Sequence, residues 1–473
     1  SFSKSIKNMY ELGLINDSYL NKFKNNIDLI NEVVDYERDY NFDYFGWCSL
    51  RDIYLLKDSE GNIMERPQQM YTRVALMTTK NDEHFIEKYN DLSNQMESPA
   101  TPIKINVGTS IPQIASCNLS IVPEDSTDGL LNMFNRISVS SSKAEGIGLA
   151  VSNIRSKKSN VGASNGKAGG LLKYFKVINE GLRFWNQRGK RPGSCAVYVE
   201  PWHKDVLDVL DIRKKTGDET LRARDLFSAL WIPDNFMEAV QNNGDWYLFC
   251  PHDIEKAGLK PFYEIYGKEY EEEYQKAVEM GIGEKVKAHD IWLKILESQI
   301  ETGMPYMCFK DSVNEKSNQK NMGVVHSSNL CSEIVEVTDK DTTAICTLTS
   351  IPVQKYVKEN GEYDFENLGR VSRSIVRSLN VAVDINEYST KEGRKGGLEQ
   401  RALGIGIQGL ADTFALLNLP FTSEESRKLN KYIFETIYYN AIRQSCDLSR
   451  KYGKTYSAFQ GSPMSDVYSM GNV

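Results

Sequence analysis

Histidine is scarce in this chain, and its cysteines are not paired. Five histidines (His84, His203, His252, His289, His326) and eight cysteines are spread over 473 residues. There is no CxxC, and no His or Cys stands at metal-ligand spacing from another, so neither a structural zinc nor a dense disulfide framework is expected. The default setting is a reducing compartment, the cytoplasm. No apolar run is long enough to span a bilayer, and the opening SFSKSIKNMY lacks a signal-peptide core. That opening starts on Ser rather than Met, which suggests either processing or a boundary cut within a longer chain. A basic excess is missing as well: the net charge of -7 argues against a dedicated nucleic-acid binder. Internal repeats and low-complexity linkers are absent.

The length allows two or three domains, or one large α/β barrel with an attached domain. Residues 1–100 read as a helical region: in KNMYELGLINDSYLNKFKNNIDLINEVV apolar residues recur every three or four positions. From residue 101 to 473 short apolar runs alternate with helical patterns. CAVYV and FSALWI are apolar on both faces, the sign of buried parallel strands, with helices such as AHDIWLKILESQIET covering them. ENLGRVSRSIVRSLNVAVDIN and EESRKLNKYIFETIYYNAIRQSCDLSRKYG read as long amphipathic helices.

Three features invite chemistry. GIGIQG (404–409) fits the dinucleotide fingerprint, and Glu424 follows at a suitable distance, but KEGRKGGLEQRAL precedes it where an apolar strand should stand. Close backbone packing at a helix start is the simpler reading. Two glycine-rich, partly basic loops, NIRSKKSNVGASNGKAGG and NQRGKRPGS, could hold phosphates or be plain solvated loops. The third is SSNLCSEIVE, which sets Asn329, Cys331 and Glu333 at two-residue spacing; in an extended segment they would share a face. A carboxylate beside a thiol suppresses the thiolate, so a Cys–His nucleophile fits poorly. A thiol kept protonated suits hydrogen-atom transfer instead, with the carboxylate moving a proton. Cys195, Cys250, Cys308 and Cys446 read as small buried hydrophobes.

NMYELGLI, DYERDYNFDYFG, ERPQQMYTRVA, EGIGLAVSNIR, KRPGSCAVYVEPWH, ARDLFSALWIPD, ETGMPYMCFKDSVNEKSNQ, SSNLCSEIVE and GIGIQGLAD occur in consistent order. On these the chain resembles the large, catalytic subunit of class I ribonucleotide reductase. The resemblance implies an α/β fold: the helical N-terminal region, then about half of a ten-stranded α/β barrel with a central finger loop tipped by Cys331. It implies that Cys331 becomes the thiyl radical that takes hydrogen from C3′ of the ribose. Glu333 would accept the 3′-hydroxyl proton, Asn329 would hydrogen-bond the substrate, and Cys117 with Cys346 would form the reducing dithiol. Thr101, Ser116 and Gly146 match substrate-binding positions. Asp125, Ser126 and Arg155 match the site for a dNTP or ATP effector, and Gln187, Lys190 and Arg191 the loop that relays effector identity.

The resemblance also implies partners. These are a ribonucleoside diphosphate substrate, a small radical-generating subunit with a dimetal site, a thioredoxin- or glutaredoxin-type reductant, and a second copy in a homodimer. No metal bound directly by this chain is expected. Relatives carry an ATP-binding helical cone before this region. After it come the rest of the barrel, its phosphate loop, a tyrosine pair and a C-terminal cysteine pair. The expectation is a split enzyme, inactive alone, that docks with a polypeptide carrying the missing half. The alternatives are a non-catalytic effector-binding or assembly module and, from GIGIQG, a nicotinamide-dependent oxidoreductase.

Overall fold

The computed structural model describes residues 2–162, 165–185 and 193–469. Among them are ten strands, β1 (Ser98–Pro99), β2 (Cys117–Ile121), β3 (Gly146–Ala150), β4 (Cys195–Val199) and β5 (Phe227–Ile232) in the first half. The others are β6 (Asp245–Leu248), β7 (Glu284–Lys287), β8 (Tyr306–Phe309), β9 (Ala344–Pro352) and β10 (Leu403–Gln408). The chain divides into two compact units. One comprises Ser1–Ser116, Cys346–Tyr388 and Arg401–Thr455; the other comprises Cys117–Ile345, Ser389–Gln400 and Tyr456–Val473.

The first unit is mainly helical, as the three- and four-residue periodicity predicts. Asn16 caps the helix Asp17–Asn25 by accepting from the Tyr19 N–H at 2.9 Å, and Pro67 opens the helix Pro67–Met77 at a position where its missing N–H costs nothing. That second helix is buried all round. Even Arg73 is enclosed, held by Glu65 at 2.6 Å and by the Val107 carbonyl at 2.7 Å. The two long amphipathic helices, Phe365–Ile385 and Glu424–Tyr452, lie against each other, with Ile375 and Ile433 in the shared core. GIGIQG turns out to be a strand rather than a loop after one. Leu403–Gln408 runs parallel to β9, Leu403 opposite Thr347 and Gln408 opposite Pro352. Gly409, at φ +76°, then starts the helix Leu410–Leu416. A nucleotide fingerprint needs its glycines in the turn, and here two of them lie within the strand.

The second unit is built on the parallel ladder β2-β3-β4-β5-β8, with Cys117 opposite Gly146, Ile147 opposite Cys195, Ala196 opposite Phe227 and Ala229 opposite Tyr306. Residues alternate between its faces. Ile147, Leu149, Val197, Val199, Leu230 and Ile232 join Met133, Ile137, Phe175 and Ile178 of the helices Thr127–Ser142 and Gly170–Trp185 in one core. At about 1.5–3 kcal/mol for each fully buried aliphatic side chain, this face fixes the strand register. The opposite face, Ala196, Tyr198, Ala229 and Trp231, packs against Val325, Leu330 and Val337 of a long irregular segment. DWYLFC departs from the parallel pattern, since Asp245–Leu248 forms an antiparallel pair with Glu284–Lys287. The fold class is α/β, a helical N-terminal region followed by parallel strands. No helix among the described residues is long and apolar enough to cross a membrane.

Candidate active site

Between the helix Lys310–Lys316 and β9 the chain makes a finger of irregular backbone, pinned at both arms. Asn314 accepts from the Val325 N–H at 2.8 Å and donates back to the Val325 carbonyl at 3.1 Å. On the other arm the Val337 N–H donates to Gln319 Oε1 at 2.6 Å, and Gln400 Nε2 donates to the Val337 carbonyl at 2.8 Å. Side-chain amides thus satisfy main-chain groups that no strand partner reaches.

The tip is a turn, not an extended strand. Ser332 has φ +69°, a left-handed conformation that costs a non-glycine residue about 1 kcal/mol or more. Asn329, Cys331 and Glu333 therefore do not line one face: Asn329 is fully buried, while Cys331, Ser332 and Glu333 are exposed. What joins them is Asn329 Oδ1, which accepts from the N–H groups of Glu333 at 3.0 Å and Ile334 at 3.1 Å. Ser328 Oγ closes the base by donating to the Ile334 carbonyl at 2.5 Å. With its oxygen committed to the turn, Asn329 keeps a buried Nδ2 that has no acceptor among the described residues. A buried donor left empty costs about 1–3 kcal/mol, and a ligand that accepts from it recovers that energy.

Strand β3 is the platform. A Cβ at Gly148 would lie 2.1 Å from the Ser328 carbonyl oxygen and 2.7 Å from Asn329 Cα. Only glycine lets the finger's main chain rest there. A Cβ at Gly146 would lie 3.2 Å from Leu330 Cδ2 and 3.3 Å from Cys117 Sγ. Within the second unit, Cys117, Gly146 and the Asn329–Leu330 step are therefore immediate neighbours. Tyr306, on the strand edge, has its hydroxyl pKa raised first by burial and then by the Cys331 thiol.

Thr101, Ser116 and Cys346 belong to the first unit. Thr101 opens the helix Thr101–Asn106 and meets the Tyr54 hydroxyl at 3.3 Å. The Ser116 N–H donates to the Cys346 carbonyl at 3.1 Å, and Cys117 is the next residue in the chain. Ser116 Oγ is buried without a partner among the described residues. Cys117 and Cys346 are both buried.

A separate cluster stands at the start of the helix Thr127–Ser142. Ser126 caps it, accepting from the Gly129 N–H at 3.0 Å. Arg155 Nε reaches Asp125 Oδ2 at 2.6 Å, and its Nη1 donates to the Asn160 carbonyl at 2.9 Å. The structure thus brings Asp125, Ser126 and Arg155 together at a helix N-terminus, where an anion is favoured. Gln187, Lys190 and Arg191 lie outside the described residues.

Sequence reasoning missed Gly148, Tyr198 and Ser332, all of which touch or form the finger. A Tyr inside an apolar strand and a Gly inside GIGLA carry no local signal; their roles come from what the topology lays across them.

A thiol, a carboxamide and a carboxylate on a loop seated over a buried parallel sheet define an α/β protein organised around one loop-borne cysteine. The model of the ribonucleotide reductase barrel domain matches residues 115–472, and that of the ribonucleotide reductase all-alpha domain matches residues 40–112. The chain belongs to the ribonucleotide reductase large-subunit family. It is 44% identical over 444 residues to the ribonucleoside-diphosphate reductase large chain of Cryptosporidium parvum, covering 93% of this chain and 54% of that protein. Against the large subunit of Danio rerio it is 44% identical over 443 residues, covering 93% and 55%. Against that of Arabidopsis thaliana it is 42% identical over 496 residues, covering 98% and 60%. The chain spans a little over half the length of these relatives.

Proposed function

We propose that this chain carries the thiyl-radical half-site of a ribonucleotide reductase, converting ribonucleoside diphosphates to deoxyribonucleoside diphosphates. The observation that carries the reading is the finger itself: Cys331 and Glu333 at its tip, Asn329 with a buried donor that meets no acceptor among the described residues, and Cys117 against Gly146 beneath it. A small subunit with a dimetal site would supply the oxidising equivalent that makes Cys331 a thiyl radical. Cys331 then takes the hydrogen atom from C3′, Glu333 takes the 3′-hydroxyl proton, and the 2′-hydroxyl leaves as water with Asn329 Nδ2 holding the substrate. Cys117 and Cys346 give up two electrons and two protons and end as a disulfide, and Cys331 returns the hydrogen to C3′. A thioredoxin- or glutaredoxin-type protein would reduce that disulfide. Asp125 and Ser126 contact a dNTP or ATP effector and Arg155 its phosphates, in a homodimer.

A radical needs shelter from solvent and stray donors, yet Cys331 is exposed. Turnover therefore calls for further barrel segments over the tip, supplied by a second polypeptide or by a longer form of this one. The test is product formation from a ribonucleoside diphosphate, with small subunit and reductant present, by this chain alone and by the chain joined to those segments. Activity should appear only in the joined form and vanish in Cys331→Ser. Activity that survives Cys331→Ser refutes the proposal.

A further inference from the structure

The finger tip is held from below by a residue outside the chemistry. Tyr198 sits in β4, fully buried, on the sheet face that packs against the finger. Its hydroxyl donates to the Asn329 carbonyl at 2.6 Å and lies 3.1 Å from Ser332 Oγ. These two residues bracket the Leu330–Cys331 step. A phenol has one proton to give, so with that proton on Asn329 the short contact to Ser332 has the serine hydroxyl donating. The order is Ser332 Oγ–H to Tyr198 Oη–H to the Asn329 carbonyl, a two-bond strap across the turn. Ser332 is also the residue at φ +69°, so the strap ends on the strained point of the tip. The Tyr198 ring is itself fixed, edge-on to Trp231 with centroids 6.1 Å apart.

We propose that Tyr198 is a positioning residue for Cys331, its hydroxyl setting the orientation in which the turn presents the thiol. This deepens the reading of Cys331 as the reactive thiol and rests on it for its functional meaning. Burial above all raises the Tyr198 hydroxyl pKa, so the group stays protonated, as the strap requires, throughout the pH range of the enzyme. A tyrosine that merely filled space would not need its oxygen on two main points of the same turn.

The experiment measures alkylation of Cys331 by iodoacetamide, read by peptide mass spectrometry. Cys48 and Cys446, both partly exposed, serve as references in the same digest. Tyr198→Phe keeps the ring and deletes the hydroxyl. Ser332→Ala removes the other end of the strap from an exposed position, and so decides the matter if the core variant fails to fold. Both variants should label Cys331 about fivefold faster, the ratio corresponding to one lost hydrogen bond, with Cys48 and Cys446 unchanged. In the complete enzyme, kcat should fall with KM unchanged. Unchanged Cys331 labelling overturns the proposal, and so does an equal rise at all three thiols, which would mark Tyr198 as a general stabiliser. If the wild-type complete enzyme reduces no ribonucleotide, the functional reading fails, while the labelling still decides the role of Tyr198.

Discussion

Replacing Glu336 by Gln should stabilise the protein, and by an amount that grows with pH. Glu336 lies in the descending arm of the finger, buried, and its Oε2 meets no hydrogen-bond donor among the described residues. Burial pushes its carboxyl up to about 8, from an ordinary 4.5. The native state therefore keeps a proton that the unfolded chain releases once pH exceeds 4.5. By linkage, this contribution is full below the unfolded pKa and is lost as pH rises through the folded one. At about 1.4 kcal/mol per pH unit the window would be worth about 5 kcal/mol, a ceiling that relaxation and water entry bring down to about 2–3 kcal/mol. Gln has nearly the same shape and never ionises. Urea unfolding of both proteins, near pH 5 and near pH 8.5, isolates the effect, because every other titrating group contributes to both. The two should agree at the lower pH, and the variant should gain about 2 kcal/mol at the higher one. A difference that does not change with pH refutes the reasoning, because the carboxylate would then be ionising in place without cost.

Three further outcomes follow from the geometry. Gly148→Ala should destabilise the second unit by about 3 kcal/mol in chemical denaturation, since its methyl would collide with the Ser328 carbonyl rather than with a side chain able to move. Arg155→Gln should weaken binding of a deoxynucleoside triphosphate about tenfold by calorimetry, while the urea midpoint stays put, because the partly exposed pair with Asp125 contributes little to folding. Lys310→Met should cost about 3–5 kcal/mol, read as a lower urea midpoint, because it strands the buried Glu200 carboxylate, whose Oε2 accepts from Lys310 Nζ at 2.8 Å and from the Trp202 indole at 2.7 Å.

The architecture was largely legible in the sequence because it rests on periodicity. CAVYV and FSALWI are buried on both faces and are parallel strands, and the long amphipathic helices stand where their spacing put them. The motifs also picked out residues that the fold brings together: Asn329, Cys331 and Glu333 share one short turn, and Asp125 and Arg155, thirty residues apart, form an ion pair. Asn329, Cys331 and Glu333 do not share a face, for a physical reason. Alternation requires extended backbone, and a single residue in the left-handed region, Ser332, is enough to end it. Tyr198 and Gly148 were invisible for a different reason. Their importance lies in a segment more than one hundred residues away that returns to rest on them.

Gly148 gives the finger a seat made of main chain against main chain, with no side chain between them. At this one point the spacing between loop and sheet is gauged by atoms that every amino acid shares, provided the strand beneath keeps its bare notch, whereas Val325, Leu330 and Val337 set the fit by their side chains. Sequence change elsewhere around the thiol leaves that one spacing intact.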